Sequence, residues 1–432
     1  MNFGYLSQYF AKFGWKRVTS VEVDPNASNG HEINSSSGLR EILGTTTRKC
    51  KNGTGIQTRF VYLTDREDLG AEAAACMSWY DSRARHKSRT EWRLYYTDNA
   101  VIGREGFARA GDFLIIAFTY ANEAATVLVA EAGSTYESQL QWLFGISNES
   151  RDKFEVATIP ESQFVDSYRA RILEAVGVTI PATDDSLLER MVEKFGNDFP
   201  STAAFGKFVR DEITDIRAED DADAAIIAWM EDEEFAFRVF EKFIVGARLE
   251  EGFKDVDEFV RCSLSVQNRR KSRAGHAFEN HLSAVFQAHG VAHQRSAILE
   301  DKAKPDFLFP GAAQYFDFSF PDEQLTLLGA KTSCKDRWRQ VLAEGARIKR
   351  KHLVTLEPAI SATQLAQMRR HDLQLVIPAA LHGTYPQCES EKLWDLMTFI
   401  EAVLEKQRLS GVSAAESLDR MTSVRHRRKT KS

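Results

Sequence analysis

The chain has 432 residues, of which 43% are hydrophobic and 27% charged, so it is long enough for two or three domains of ordinary globular composition. Its formal net charge of −6 excludes a uniformly basic coat, so any nucleic-acid binding must come from local basic patches. The most apolar stretch, residues 111–130, is interrupted by Asp112, Asn122 and Glu123, which excludes a membrane span and favours two strands.

The five cysteines are odd in number, scattered and free of any C-x-x-C pair. This pattern suggests neither a disulfide framework nor a zinc site. The N-terminus also lacks the basic and apolar pattern of a signal peptide. We therefore expect a protein of the reducing cytoplasm that does not associate with membranes.

The first 150 residues consist of short apolar runs separated by turn residues, a rhythm that predicts a mostly-β domain. The spacing predicts strands at 57–63, 92–96, 113–119 and 126–130, and a helix at 137–144. The turn-rich sequence at 196–201 is typical of a hinge. We predict an N-terminal domain over 1–180 and a hinge over 181–200.

Residues 211–234 contain eleven acids and a single base, Arg217. Such a run usually forms a solvated helical face and loop. The alternative is an acidic surface that repels DNA or docks on a basic patch in an idle state.

A C-terminal α/β domain is predicted over 201–415. Apolar residues repeat at helical spacing over 274–289, and strands are expected at 306–309, 315–320 and 325–330, before a helix over 337–350. A strand at 352–356, a helix opening with the capping-box pair Ser361 and Gln364, and a strand at 373–377 complete a β-α-β unit. The basic residues of 416–432 are expected to form a disordered tail that touches DNA nonspecifically.

One group of residues in this domain predicts nuclease chemistry. Asp306 follows a proline at a strand start and Lys331 ends a later strand, so antiparallel pairing would bring them to one sheet edge. This is the arrangement of the PD-(D/E)XK nucleases, in which carboxylates hold Mg²⁺ and a lysine lies near the attacking water. A second carboxylate usually lies two residues before the lysine, but Gly329 stands there, and a hard cation needs several oxygen ligands.

Two other carboxylates are candidates for the missing ligand. Glu344 lies thirteen residues after the lysine, on the expected helix, and Glu279 could reach in from the preceding helix or simply pair with a lysine on its own helix surface. Tyr315 raises a rival chemistry, a covalent phosphotyrosine link. A strand aromatic is more often part of the core, and retained cleavage by Tyr315→Phe would exclude the rival.

Residues 268–275, 304–310 and 331–340 resemble the EcoRII restriction endonuclease family. The resemblance implies that Glu344 is the family's relocated glutamate, that Asp306 and Glu344 hold Mg²⁺, and that Lys331 positions or activates water. It implies a type II restriction endonuclease that cuts both strands of a short near-palindromic DNA site. A homodimer is expected, because a near-palindrome calls for matching two-fold symmetry.

The segment after the active-site strand is the expected DNA-reading element. Residues 331–351 carry eight bases and two acids, a net charge of +6. Lysine and arginine match guanine O6 and N7, and aspartate accepts from cytosine N4, so Lys335, Asp336 and Arg337 suit adjacent C·G pairs. The resemblance implies CC and GG outer pairs. Phosphate contacts or an i,i+4 salt bridge are the alternative reading.

Further DNA contacts are predicted at two places. Over 83–93, four charged residues alternate and would share one face of a strand: Lys87, Arg89, Glu91 and Arg93. The resemblance implies that the N-terminal domain is a pseudobarrel effector domain, with His31 on a second arm, which binds a second copy of the DNA site and relieves blockage of the catalytic cleft. The basic stretch before the first helix supplies Arg269, Arg270 and Arg273.

Two other functions stay open from the sequence. One is a modification-dependent nuclease whose N-terminal domain senses methylated DNA, and the other is a nonenzymatic DNA-binding regulator. Residues 229–234 lack the aromatic and arginine pair with which the family flips the central base pair, so no central base is predicted. Mg²⁺-dependent cleavage of unmodified DNA separates all three functions.

Overall fold

The structure is a computed structural model that describes residues 3–23, 31–33, 36–66, 69–85, 90–103, 105–120, 123–147, 154–180, 182–334 and 337–412. Within these ranges the chain forms two compact units. The first unit comprises residues 2–180 and 359–364, and the second comprises 181–358 and the residues from 365 onward.

The first unit is built on one sheet. Its strands are β1 (Lys12–Arg17), β2 (Glu32–Ile33), β3 (Ile56–Leu63), β4 (Ala71–Asp81), β5 (Trp92–Tyr95), β6 (Phe113–Phe118), β7 (Ala124–Ala130) and β8 (Glu155–Thr158). Its helices are α1 (Ser20–Val23), α2 (Ser36–Leu43), α3 (Thr135–Phe144) and α4 (Ser167–Ala175). The strand order is β2-β5-β4-β3-β7-β6-β1-β8, and only β3 and β7 pair in parallel.

The predicted strands of this unit are present, and the sequence missed β1, β2, β4 and β8. Every residue of β6 is buried, which explains why its sequence is a continuous apolar run rather than an alternating one. By contrast, β4 is rich in alanine and half exposed, so it carries little of the β-branched and aromatic signal on which strand prediction depends.

Cys50 and Cys76 form a disulfide, with their Cα atoms 5.9 Å apart. The expectation that the chain contains no disulfide was therefore wrong for this pair. The two residues are 26 positions apart and share no motif, and only the pairing of β3 with β4 brings them together. A Cβ on Gly55 would lie 2.3 Å from the Cys76 sulfur, so this position needs a glycine for the chain to pass the bridge.

The second unit packs helices around a mixed sheet. Its strands are β9 (Gln294–Arg295), β10 (Phe307–Phe309), β11 (Thr326–Lys331), β12 (Lys351–Thr355) and β13 (Leu373–Val376). Its helices are α5 (Asp185–Phe195), α6 (Thr202–Phe208), α7 (Ala222–Glu251), α8 (Val256–Ala288), α9 (Ala312–Phe316), α10 (Trp338–Leu342), α11 (Ala362–Arg370), α12 (Gln387–Ser390) and α13 (Leu396–Leu409). The strand order is β13-β12-β11-β10-β9, parallel from β11 to β13 and antiparallel from β11 to β9. Residues 362–364 of α11 are assigned to the first unit.

The predicted β-α-β unit of β12, α11 and β13 is present, but three other predictions need correction. The segment 315–320 is not a strand, because α9 and a turn occupy it and its alternating Phe316 and Phe318 are 52% and 87% exposed. The helix expected over 337–350 ends at Leu342. The predicted hinge over 181–200 contains α5, whose Leu187 and Met191 are buried.

In the described part of the chain, none of the helices has the length and apolar composition that a membrane crossing requires. The expected basic tail, residues 416–432, lies outside the described residues.

Candidate active site

The antiparallel pair β10 and β11 places the predicted catalytic residues at one edge of the sheet. Phe307 lies opposite Leu328, and continuing the same register by one residue places Asp306 opposite Gly329. In an antiparallel pair, directly opposite residues present their side chains on the same face. An acid at 329 would therefore stand beside Asp306, which is the geometry of the usual two-carboxylate motif.

Lys331 and Asp306 are in direct contact. The lysine Nζ lies 2.8 Å from Oδ2 of the aspartate, and the same oxygen accepts the backbone N–H of Ala330 at 2.7 Å. Both side chains are about five-sixths buried, with 17% and 16% of their surface exposed. The predicted approach of Asp306 and Lys331 is confirmed.

The space beside Gly329 is already occupied by α10. A Cβ at this position would lie 2.5 Å from Cγ2 of Val341, closer than real contacts allow. Glycine therefore lets α10 pack directly on β11, at the place where the usual motif has an acid. The close approach of the helix also brings the chain that follows it, including Glu344, back to the sheet edge.

Glu344 lies in the bend after α10 rather than on the predicted longer helix. The next residue, Gly345, has a φ of +63°, which is a left-handed conformation that glycine adopts without strain. A Cβ there would lie 2.9 Å from Leu327 of β11, so the turn is held close against the strand. The position of Glu344 thus depends on two glycines. Gly329 on β11 lets α10 approach the strand, and Gly345 forms the turn that follows Glu344.

The electrostatics place Glu344 in the same site as Asp306 and Lys331. Burial raises the pKa of the Glu344 carboxyl, the negative charge of Asp306 raises it further, and the charges of Lys331 and Lys351 oppose this shift. A carboxyl whose pKa is raised by a neighbouring carboxylate belongs to a donor pair whose repulsion a divalent cation relieves.

These residues fit a Mg²⁺ site in their chemistry. Oxygen donors from carboxylates are the ligands that Mg²⁺ prefers, and it usually takes only one or two of them from the protein. Both hydrogen bonds to Asp306 fall on Oδ2, so Oδ1 can face a cation. Within the described residues, no group of three or more His, Cys, Asp or Glu side chains is arranged to hold a metal ion.

Lys351 is a site residue that the motif analysis did not single out. It is 8% exposed and its Nζ donates to the carbonyl of Ile348 at 3.0 Å. Burial lowers the pKa of this lysine, while the charges of Glu344 and Glu300 counteract the shift. The only sequence signal was its place in the basic stretch 331–351. Lys351 therefore supplies part of the positive charge that balances the two carboxylates.

Tyr315 and Glu279 have defined partners. The hydroxyl of Tyr315 donates to Glu300 at 2.6 Å, and burial followed by this bond raises the pKa of Tyr315 to about 12. A phenol held in this way is a poor nucleophile, which disfavours the covalent alternative. Glu279 forms an ion pair of 2.9 Å with Arg295 of β9, not with a lysine of its own helix.

The segment that follows β11 is anchored beside the site by a buried carboxylate. Glu357 is 7% exposed and accepts a close hydrogen bond from the backbone N–H of Cys334. The Cys334 thiol is fully buried, and burial followed by the charge of Glu357 raises its pKa. Arg337 is exposed at the start of α10. The remaining predicted readers, Lys335 and Asp336, lie outside the described residues.

Comparison with known proteins identifies the family of this chain. A family model described as EcoRII C terminal matches residues 237–400. Over 385 residues the chain is 31% identical to the type II restriction enzyme EcoRII of Escherichia coli. The alignment covers 87% of this chain and 90% of that enzyme. The chain belongs to the EcoRII family. It is therefore a type II site-specific deoxyribonuclease.

Two solved restriction enzymes are similar to part of this chain. Metal-depleted Ecl18kI in complex with uncleaved, modified DNA is 20% identical, with a TM-score of 0.42 over 53% of this chain and 86% of that one. The PspGI–substrate DNA complex is 14% identical, with a TM-score of 0.38 over 55% and 95%. Since both scores lie below 0.5, membership of the EcoRII family depends on the sequence matches.

The three arginines predicted to bind DNA on α8 are engaged within the second unit of this EcoRII-family chain. Arg273 is 7% exposed and pairs with Glu233 and Glu234 of α7, which argues against DNA contact by this residue. Glu233 is itself fully buried, so the predicted solvated acidic face is wrong there. Arg270 pairs with Glu241 at 2.6 Å, and the guanidinium of Arg269 lies 4.2 Å from the ring centre of Phe199.

The predicted DNA contacts of the first unit are described only in part. Arg93 lies on β5 and pairs at 2.8 Å with both Glu91 and Glu32, so the pair Glu91 and Arg93 is a local ion-pair network. His31 Nδ1 lies 3.0 Å from Asp98. The other two predicted contacts, Lys87 and Arg89, lie outside the described residues.

Proposed function

We propose that this EcoRII-family enzyme cuts DNA with Mg²⁺ held by Asp306 and Glu344. The observation that carries the proposal is the direct contact of Lys331 with Asp306 at a sheet edge where Glu344 feels the charge of both. When bound there, Mg²⁺ would supply a polarised water and stabilise charge on the leaving oxygen. Glu279 is a further candidate, which would act only if its pairing with Arg295 opened.

The side chains of the site have separate tasks in this proposal. Lys331 donates to Asp306 and so keeps the orientation of that carboxylate fixed, while its charge lies close to the attacking water. Glu344 must be ionised to act as a ligand, and the charges of Lys331 and Lys351 favour that form. Burial of the group favours the protonated form, so ligation depends on these lysines.

Plasmid cleavage tests the proposed function against its rivals. Unmethylated and methylated plasmids are incubated with the enzyme in Mg²⁺ or in EDTA, and the cut ends are mapped by sequencing. We expect Mg²⁺-dependent double-strand breaks in unmethylated DNA at one short near-palindromic site with CC and GG outer pairs. Cleavage of methylated DNA alone would indicate the modification-dependent nuclease, and binding without cleavage in any divalent metal would indicate a regulator.

The exposed Arg337 is proposed to read a guanine, with Lys335 and Asp336 as its neighbours in the sequence. Arg337→Ala is expected to weaken binding to the cognate site by about 1–3 kcal/mol while leaving binding to unrelated DNA nearly unchanged. Fluorescence anisotropy with cognate and scrambled duplexes measures both. Arg370→Ala, at an exposed arginine of α11, is the matched control. An equal loss on both duplexes would identify Arg337 as a phosphate contact.

The first unit is proposed to be an effector domain that binds a second copy of the DNA site and restrains the nuclease. Because α5 belongs to the second unit, where its Leu187 and Met191 are buried, the test removes residues 1–180 and keeps α5. We expect this variant to cut single-site DNA faster than the full chain, with less stimulation by added cognate duplex. An inactive but folded variant, judged by circular dichroism and DNA binding, would contradict this role.

The enzyme is further proposed to act as a homodimer, because a near-palindromic site has two-fold symmetry. Each subunit would then present its active site to one strand of the DNA.

A further inference from the structure

The two longest helices of the second unit, α7 and α8, end in a hairpin with an unusual distribution of burial. We call residues 242–272 the arm. None of its described side chains is buried, whereas α8 resumes regular burial from Arg273 onward. At 1.5 Å per residue, the part of α8 within the arm is about 25 Å long. Apart from Phe199, which lies against Arg269 at the base of the arm, no described element buries a side chain of the arm.

An apolar stripe runs along the arm. On α8, the large exposed apolar residues fall at helical spacing, with Val256 75%, Phe259 49%, Val260 42% and Leu264 52% exposed. Leu249 at the end of α7 is 57% exposed. An apolar stripe of this kind on a helix is typical of a face that packs against another helix. Contiguous exposed apolar surface on a soluble protein commonly marks an interaction site.

The charges of the arm are divided between its two ends. Residues 250–258, at the tip, contain five acids and one base, whereas residues 259–272 contain four bases and no acid. One of the four, Arg270, also pairs with Glu241 of α7. Two arms lying antiparallel would bring the acidic tip of each against the basic part of the other, and parallel arms would bring like charges together.

We propose that the arm is the surface through which two copies of this chain associate, with their α8 helices antiparallel about a two-fold axis near Val260. This arrangement places Val256 against Leu264 of the partner subunit, and Leu264 against Val256 of the partner subunit. The contact is self-complementary, as a two-fold interface must be. The inference rests on the proposed homodimer and identifies its interface.

A duplex DNA ligand fits the arm less well. The acidic tip would lie close to the phosphates, and an apolar stripe offers no donors to them. A second copy of the chain would cover the apolar stripe and pair each acidic tip with basic residues, so it is the partner that fits the arm best.

The test is a pair of charge substitutions on the stripe, Val256→Glu with Leu264→Glu. Because both side chains are exposed, the fold of the subunit is expected to persist, with unchanged circular dichroism. We expect the dimer dissociation constant, measured by sedimentation equilibrium of the full chain, to rise at least about a hundredfold. Leu409→Glu, at a 66% exposed leucine of α13, is the matched control and should leave it unchanged.

The outcomes separate this inference from the proposed function. If the double variant is monomeric while the parent and the control are dimeric, the arm is supported as the dimer interface. If the double variant is as dimeric as the parent, the arm is not the interface, although the proposed homodimer stands. A monomeric parent overturns both the interface and the homodimer. If the double variant fails to fold, Val260→Cys decides instead. It should give an oxidised covalent dimer on non-reducing gels, whereas Leu409→Cys and the parent chain should not.

Discussion

Replacing Glu344 by glutamine is expected to abolish cleavage while leaving DNA binding intact. The glutamine keeps the size and shape of the side chain but removes one of the two carboxylates that face the site with Lys331. Loss of a metal-ligating charge is expected to reduce the cleavage rate at least about a thousandfold. Binding measured without Mg²⁺ should be equal or slightly tighter, because a negative charge near the DNA phosphates is removed.

Stability measurements give an independent view of the same group. A glutamate whose folded pKa is raised stabilises the fold when protonated, and this contribution is lost as pH rises through the folded pKa. Without Mg²⁺, Glu344→Gln should therefore melt at a higher temperature than the parent at neutral pH, and the difference should vanish at low pH. Mg²⁺ should raise the melting temperature of the parent more than that of the variant.

The control is Glu401→Gln, an exposed glutamate of α13 that lies on no element of the site. It should match the parent in cleavage rate, DNA binding and melting temperature. Full activity in Glu344→Gln would remove this residue from the site. In that case Glu279, released from Arg295, would be the remaining candidate for the second ligand.

Gly329→Ala is expected to lower both stability and activity, although it adds only one methyl group. The new Cβ would lie 2.5 Å from Cγ2 of Val341 and 3.4 Å from Cδ1 of Leu353, so α10 must move. Overpacking of this kind costs about 1–3 kcal/mol of unfolding free energy. The shift also displaces Glu344, and a misplacement of about 1 Å can cost on the order of a hundredfold in rate.

A second substitution tests the cause. Combining Gly329→Ala with Val341→Ala removes the clashing methyl groups and should recover part of the stability and activity. Gly275→Ala is the matched control, since a Cβ there meets nothing within 4 Å and should stabilise α8 by up to about 1 kcal/mol. Urea unfolding and plasmid cleavage measure both effects. An unchanged Gly329→Ala would show that α10 does not pack on this glycine in solution.

The clash between a side chain at position 329 and Val341 also predicts that an acid placed at the usual position will not restore activity. Gly329→Asp combined with Glu344→Gln supplies an acid at the ordinary position, but its side chain meets Val341 before it reaches Asp306. We expect this double variant to stay inactive. The packing of α10 on Gly329 would thus by itself exclude an acid at the usual position.

The parts of the site that could be predicted are those set by short-range strand pairing. Asp306 and Lys331 belong to adjacent strands, and their contact follows from the register. The position of Glu344 could be predicted only roughly, because it depends on how closely α10 packs on Gly329 and on the left-handed turn at Gly345. Neither the close packing of the helix nor the left-handed turn is encoded in a local sequence pattern.

Residues that depend on partners from distant elements escaped prediction. The sequence shows that Arg273 is basic but not that Glu233 and Glu234 of another helix enclose it. The alternation of phenylalanines over 316–320 has the period of a strand, yet α9 and a turn form there and leave two of the rings exposed. Lys351 and Glu357 carry no motif, and only the folded sheet brings them to the site.

The placement of Glu344 has a consequence for fidelity. Lys331 precedes the predicted reading segment and Glu344 follows it, with α10 and Cys334 between them. The stretch proposed to meet the base edges is therefore bounded at both ends by residues proposed to act on the phosphate. We expect a mismatched base pair that displaces this stretch to misalign the chemistry as well, so that discrimination falls on turnover in addition to affinity.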